Sequence, residues 1–413
     1  MTQPTPIPCY LFKEKRYESD ITLRELAKQI NIDHTYLSKI ENGHLLPSDE
    51  RLNQLLRFYK ITQKQLNYCP FTKEFIQQQL NKIYYVEFTK DDYVRVEQMA
   101  YQHRNSQYLG HLKLILWCYN AMYVHYDSSF DMEMEILDDT IHAFSDEELE
   151  FYYICKCIVH TQRRQKKQAK STLELLLQKQ TFQWPGFVYF AKVKYDYYFQ
   201  FFLNITRDIE ICKEFLLKDN NTKRVPFMTM FEALYYSYLG LHDHAIQIYE
   251  QQLSYMNQIN DNLNISVLLA NIGNQYLYKH QYKIASEYLK KATVLKNDNA
   301  TYFDLAWCYY NLGQMEACEK TIRQSVKAKT EYPAYTELLE WLSQMVKHPY
   351  SKTCLNSLLR IEKNYLDQLG PRGKVLVYGA ISNHYQHEHN YEMANHYLKK
   401  IIQENMTTAI ELN

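Results

Sequence analysis

The sequence predicts an all-α chain in two parts, on three observations. Glycine (9) and proline (10) are scarce in 413 residues, so little in the chain stops a helix. Residues 22–43, TLRELAKQINIDHTYLSKIENG, hold two short amphipathic runs, each opened by a capping residue. From about residue 93 onward, one pattern of small and large residues recurs at nearly constant spacing.

Bulk properties set the frame. The length is enough for two or more domains and a large core. Tyrosine, at 39, is abundant and amphipathic, so large faces can be half wet. Net charge is +0, so affinity for DNA has to come from local charge. Residues 1–70 hold ten Lys/Arg against eight Asp/Glu, a net of +2 that suits a few phosphate contacts. The nine cysteines lack paired spacing and read as reduced, mostly buried thiols of a cytoplasmic protein. The first residues, MTQPTPIPCY, show no basic region followed by an apolar run. No stretch approaches the ~20 apolar residues of a membrane span. No cofactor and no membrane partner are expected.

Taken in order, the prolines of residues 1–8 give an extended lead-in. Cys9–Glu18 follows as a first helix, with Tyr10, Leu11 and Phe12 apolar and Lys13, Lys15 and Arg16 expected outward. A second helix runs from Leu23 to Ile30. Thr22 is its N-cap, and Glu25 completes a capping box. Leu26, Ala27 and Ile30 share one face. Asn31-Ile32 breaks the pattern, and Asp33 suits the N-cap of a third helix. That helix carries Tyr36, Leu37 and Ile40 inward or to its flank, and His34, Thr35, Ser38 and Lys39 outward. Asn42-Gly43 ends it. Ser48 opens a fourth helix lined by Leu52, Leu55, Leu56 and Tyr59, and Ile61-Thr62 opens a short fifth. Pro70 marks a boundary. The expected division is a DNA-binding domain at 1–69, a connector at 70–92 and a repeat domain at 93–413.

The outward set of the third helix has the chemistry of a groove reader. Small polar side chains such as His34, Thr35 and Ser38 can hydrogen-bond base edges, and Lys39 supplies a cation for phosphate. An ordinary solvated face of a small helical domain is the competing reading. The stretch resembles the helix-turn-helix domain of Xre/Cro-type repressors over residues 9 to 68. Thr22, Leu26-Ala27, Asp33, Leu37-Ser38, Ile40-Glu41-Asn42-Gly43 and Pro47 carry the match. The resemblance implies that the third helix reads DNA, and the candidate contact set is Thr22, His34, Thr35, Tyr36, Ser38, Lys39 and Asn42. The family often has Gln after the Thr for a phosphate contact, and Leu23 stands there instead.

The recurring pattern is clearest from Leu269 to Ala292. Leu269, Ile272, Gly273, Tyr276, Ala285, Leu289 and Ala292 fall at tetratricopeptide-repeat offsets. Leu305, Ala306, Tyr309, Cys318 and Ile322 repeat it 33 residues on (306 − 273). Ala233, Tyr236, Ala245 and Tyr249 match upstream, and Tyr378, Ile381, Ser382, Tyr385, Ala394 and Leu398 downstream. Weaker copies fall near 150–176, 188–217 and 335–368. The fold class is therefore a five-helix helix-turn-helix domain followed by a right-handed superhelix of tetratricopeptide-like hairpins. A generic stack of amphipathic helices is the alternative.

In such a stack the first helix of each hairpin lines the concave side. Asn side chains there can both donate to and accept from an extended peptide, and aromatic neighbours form pockets. The candidate peptide-binding residues are Phe231, Asn271, Asn274, Tyr278, Trp307, Tyr310, Asn311, Asn383 and His387; solvated or locally bonded side chains are the competing reading.

An Xre-type head followed by such repeats resembles the peptide-pheromone-responsive regulators of Gram-positive bacteria, the Rgg, PlcR and PrgX group. The resemblance implies a homodimer, a palindromic double-stranded operator, a short signalling peptide bound in the concavity, and a role in quorum sensing. A phage or mobile-element repressor whose repeats bind a protein antirepressor is the alternative. An enzyme is not expected: phosphate loop, nucleophile elbow and zinc spacing are absent from the sequence. His384, His387 and His389 read as surface or concave-face residues. The run Arg163, Arg164, Lys166, Lys167, Lys170 reads as a solvated helix face.

Overall fold

In a computed structural model, residues 3–123, 129–179, 181–258, 262–328 and 333–410 are described. Among them every regular element is helical. The chain packs into two compact units, the first comprising residues 1–199 and 210–225, the second residues 200–209 and 226–413.

The first unit begins with α1 (Pro8–Glu18), α2 (Leu23–Gln29), α3 (His34–Glu41), α4 (Asp49–Phe58) and α5 (Gln63–Asn67). It continues with α6 (Lys73–Tyr84), α7 (Lys90–Gln102), α8 (Leu109–Tyr123), α9 (Phe130–Asp139), α10 (Asp146–Gln162), α11 (Lys166–Leu177) and α12 (Pro185–Tyr198). The start signals work as capping chemistry predicts. Thr22, Thr62, Thr89 and Ser145 each close a capping box at the head of a helix. Helix α8 is apolar around its circumference, with Leu112, Leu114, Ile115, Trp117 and Cys118 all buried, and it forms the centre of the unit. Helices α1, α6, α7, α9 and α10 pack around it. The segment expected as a connector thus supplies α6, whose Ile76, Leu80, Ile83 and Tyr84 are buried.

This arrangement corrects the reading of α1. Lys13 and Lys15 are buried rather than outward, and Arg16 is half-buried. Because α1 packs against α8 and α9 as well as α3, it has no broad solvent face. Its cations are instead neutralised locally, Lys13 by Asp139 and Lys15 by Glu18 at 2.7 Å. The head is fastened to the rest of the unit by backbone as well: Gln107 N donates to Leu66 O at 3.0 Å, and Ser106 Oγ to Tyr68 O at 2.6 Å.

Helix α13 (Ile205–Lys218) has residues in both units, and α14 (Val225–Tyr238) leads into the second. That unit stacks α14 with α15 (His242–Gln258), α16 (Asn262–Tyr278) with α17 (Tyr282–Leu295), and α18 (Asn299–Asn311) with α19 (Met315–Ser325). Then come α20 (Pro333–Lys347) with α21 (Lys352–Tyr365), and α22 (Pro371–His387) with α23 (Tyr391–Ile410). The repeat template is what buries these hairpins. Ala233, Ala245, Tyr249, Ile272, Ala285, Leu289, Ala292, Ala306, Cys318 and Ile381 are fully buried. A Cβ on Gly273 would sit 2.7 Å from Leu289 Cγ and 3.3 Å from the Ala285 carbonyl, so only glycine allows this crossing of α16 over α17. At the corresponding crossing of α22 and α23, Ser382 Oγ donates to the Ala394 carbonyl at 3.0 Å. One expected core position departs: Leu398 is exposed. The nine cysteines are all free, and eight of them are buried.

Candidate nucleic-acid interface and inner repeat face

Helix α3 is built from its cap outward. Asp33 accepts from Thr35 N at 2.9 Å and Tyr36 N at 3.0 Å, and the Tyr36 bond foremost holds its carboxyl below the ordinary value. Leu37, Ile40 and Glu41 are buried. Glu41 is clasped by Arg16 of α1, whose Nε lies 2.8 Å from Oε2 and 3.1 Å from Oε1. Arg16 Nη1 also reaches the Ile21 carbonyl at 3.3 Å, tying in the turn before α2. Burial pushes the Glu41 carboxyl up, and the guanidinium pulls it back. Gly43 ends the helix at φ +74°, and an added Cβ would lie 3.3 Å from Cys9 Sγ.

The opposite face is open. His34, Thr35 and Lys39 are exposed, with Ser38 half-buried between them. Lys39 has no ion-pair partner among the described residues, so its charge is available to phosphate. The other three candidates differ. Thr22 is exposed, but its hydroxyl is engaged in the α2 capping box, donating to Glu25 at 2.7 Å. The Tyr36 hydroxyl lies 3.5 Å from Ser48 N. Asn42 accepts from the buried Lys13 at 3.0 Å and lies 3.5 Å from Ser38, which turns its amide back toward α1. The expected groove reader is therefore brought together at His34, Thr35, Ser38 and Lys39. Sequence reasoning missed the Arg16–Glu41 clasp, although the Glu of Ile-Glu-x-Gly was its trace.

In the second unit, α16, α18 and α22 share an inner face. Asn274 sits there and is the centre of a polar cluster. Its Oδ1 accepts from Arg372 Nη1 at 2.8 Å. Arg372 Nη2 reaches Asp304 Oδ1 at 3.0 Å, and the guanidinium lies 5.7 Å from the Tyr278 ring centre. Burial pushes the Asp304 carboxyl up, opposed by Arg372 and Asn274. Arg372 was not anticipated; a lone Arg after Gly-Pro carries no pattern.

The remaining expected positions divide. Tyr278 is exposed along one edge and stacks on His242, ring centres 5.0 Å apart. Trp307 and Tyr310 are half-buried and stack at 5.5 Å, against the core that includes Trp341 and Leu338. Phe231 and Asn271 are half-buried. Asn311 donates to the Trp307 carbonyl of its own helix at 2.8 Å, so it is locally bonded. Asn383 and His387 are exposed, with His387 stacked 4.3 Å from Tyr350. His384, expected at a surface, is buried instead. In the basic run, Arg163 pairs with Asp131, and Arg164 donates to the Tyr198 carbonyl at 2.7 Å. No group of three or more His, Cys, Asp or Glu suited to a metal ion occurs among the described residues.

The model for the helix-turn-helix family matches residues 12–62. The head is a helix-turn-helix domain of the Xre type. Residues 268–366 match the model described as the fourth ARM domain of tetratricopeptide repeat protein 21. Over 45 residues the chain is 44% identical to the ImmF control region 10 kDa protein of Bacillus phage phi105, covering 11% of this chain and about half the length, 50%, of that relative. Among solved structures, the Rap protein complexed with competence and sporulation factor aligns at TM-score 0.65 with 13% identity, over 82% of this chain and 100% of that one. NprR in complex with its cognate peptide NprX aligns at 0.60 with 17% identity, over 80% and 98%. The apo quorum sensor NprR from B. thuringiensis aligns at 0.57 with 15% identity, over the same shares of 80% and 98%. The helix-turn-helix head thus precedes hairpins folded like those of Rap and NprR.

Proposed function

We propose that the chain is a cytoplasmic transcriptional regulator. In this reading residues 1–69 grip a palindromic operator as part of a homodimer. Residues 93–413 dimerise and take a short linear signalling peptide on their inner repeat face, and residues 70–92 link the two. The observation that carries the DNA half is α3, whose Leu37, Ile40 and Glu41 are anchored while His34, Thr35 and Lys39 face solvent. The peptide half is supported by the inner face, where Asn274 and Tyr278 stand beside Arg372 and Asp304. The fold shared with NprR, solved with the peptide NprX, supports it as well.

The mechanism is a population shift. A peptide that binds one arrangement of the hairpins better than another moves the equilibrium toward it. Half-sites read by paired helix-turn-helix heads lie about 34–36 Å apart, so a change in head spacing alters operator affinity. The test uses the full chain. A duplex selected from random DNA is titrated by fluorescence anisotropy, with and without synthetic short apolar peptides. Selection of an inverted repeat, and a peptide-dependent shift in its affinity, are expected. Binding with no preference over random duplex removes the DNA half; affinity unmoved by any peptide removes the other.

A second reading is favoured by the likeness to the phage ImmF control region protein. There the chain is a mobile-element repressor, and the repeats take a protein antirepressor. An inverted repeat bound tightly, insensitive to peptides and released by a protein expressed from a neighbouring gene, selects that reading.

A further inference from the structure

We infer that the first unit holds an anion site on one face of α12, made by Lys194 and Arg224 and suited to a phosphate group. This does not rest on the proposed function. Elsewhere in the chain, cations drawn into the fold meet acids. Lys13 meets Asp139, Arg16 meets Glu41, Lys113 meets Glu14 and Arg372 meets Asp304. Arg224, 3% exposed, has no such partner among the described residues, and neither has Lys194.

Geometry puts these two cations side by side. The Arg224 guanidinium lies 4.4 Å from the Phe187 ring centre and 5.0 Å from that of Phe190. Phe187, Phe190 and Lys194 stand three and four residues apart in turn on α12, so they share one face. Lys194 is thus one turn beyond the ring that Arg224 covers, with its Nζ 6.0 Å from the Tyr198 ring centre. Arg224 is held by Nε to the Tyr84 carbonyl and by Nη2 to the Ile83 carbonyl, each at 2.9 Å. Those carbonyls end α6 and satisfy two N–H groups, but they bring only partial charge. Nη1 makes no hydrogen bond among the described residues. Lys194 is half-buried rather than sealed, so an incoming group can reach it. Burial, and then Arg224, brings the Lys194 ammonium down to about 8, and no carboxylate opposes them. Two partly desolvated cations on one face cost free energy until an anion joins them. A carboxylate balances one of the two. A phosphate group brings about −1.5 to −2 charges at neutral pH and three acceptor oxygens, enough for Nζ and Nη1 together.

The test is titration calorimetry on the full chain with inorganic phosphate as probe, and with sulfate and acetate as comparisons. Saturable binding of one phosphate per chain is expected, with acetate at least tenfold weaker. Lys194→Met keeps the alkyl stem and weakens phosphate at least tenfold, whereas Lys194→Arg keeps binding. Sulfate holds one charge state from pH 7 to 9, so its pH profile reports the protein. Its affinity falls several-fold over that range as Lys194 loses its proton, and the Lys194→Arg chain shows no such fall. The other titratable groups acting on Lys194 stay silent there: burial pushes Cys157 up to about 12 and brings Arg224 down only to about 10. No saturable heat with phosphate or sulfate, acetate bound as tightly, or a Lys194→Met chain that binds phosphate as before overturns the site. Should Lys194→Met misfold, the pH profile decides: a wild-type profile as flat as that of Lys194→Arg overturns it as well.

Discussion

The two polar helix faces of this molecule are completed in opposite ways. On α3, Thr35 and Lys39 face solvent, while the charge chemistry of that helix, Glu41 with Arg16, is spent on its buried side. On the inner face of α16 and α18, Asn274 and Asp304 are already engaged by Arg372. An open face binds without rearrangement, so its side chains set affinity directly. A face closed by its own ion pair binds a ligand only by recruiting or displacing that pair. That exchange couples binding to the packing of α22, which is what a switch requires.

Breaking the clasp beneath α3 has the largest expected effect. Arg16→Ala leaves Glu41 buried without a cation, at a cost of about 3–5 kcal/mol to the first unit, measured by urea denaturation of the full chain. The sign with pH is fixed by burial. The folded Glu41 carboxyl sits above its ordinary value of 4.5, so its contribution is full below that value and fades as pH rises through the folded one. Removing Arg16 deepens this fall, so the variant loses more stability at pH 7 than at pH 5. An equal loss at both would mean that Glu41 is not the group left unpaired.

The inner face gives the next effect. Arg372→Ala strands the buried Asp304. Because the arginine side chain is 22% exposed, the cost is discounted to about 2 kcal/mol. Asn274→Ala keeps the ion pair and removes one hydrogen bond to Arg372, about 1–2 kcal/mol. Under the proposed function both weaken peptide binding, and Asn274→Ala does so with folding retained. If Arg372→Ala destabilises no more than Asn274→Ala, the pair is not what closes the face.

These contrasts also show where the sequence was legible. The caps at Thr22, Asp33 and Ser48 and the small residues Gly273, Ala285 and Ala306 act through near neighbours, so their spacing alone predicted them. Long-range pairing was not legible. Lys13 and Lys15 read as outward because the helices covering α1 lie far along the chain, and so does the partner of Lys13, Asp139, 126 residues away. Arg372 meets Asn274 across 98 residues, and no local pattern encodes that meeting. Asn311 is the opposite case, since its bond to the Trp307 carbonyl stays within one helical turn.

On the open face the expected effects are smaller and concern specificity. Thr35→Ala removes an exposed hydroxyl in the first turn of α3. Base discrimination should fall by about 1–3 kcal/mol at one operator position, with thermal stability unchanged. The readout is affinity across a set of single-substituted duplexes. A uniform loss at every position would place Thr35 on the backbone rather than on a base.

Lys39→Ala is the mildest change and sharpens the comparison most. Its ammonium is exposed and unpaired among the described residues, so it contributes through counterion release rather than packing. Affinity should then drop by a similar factor for the selected operator and for random DNA, and the slope of log K against log salt should shrink by about 1 for each head. The slope separates the two ways a lysine can matter. If affinity falls but the slope holds, Lys39 acts by shaping α3, and the face is not the open surface that its exposure implies. If the slope falls and sequence preference is kept, the division of work on α3 stands, with Lys39 for phosphate and its neighbours for bases.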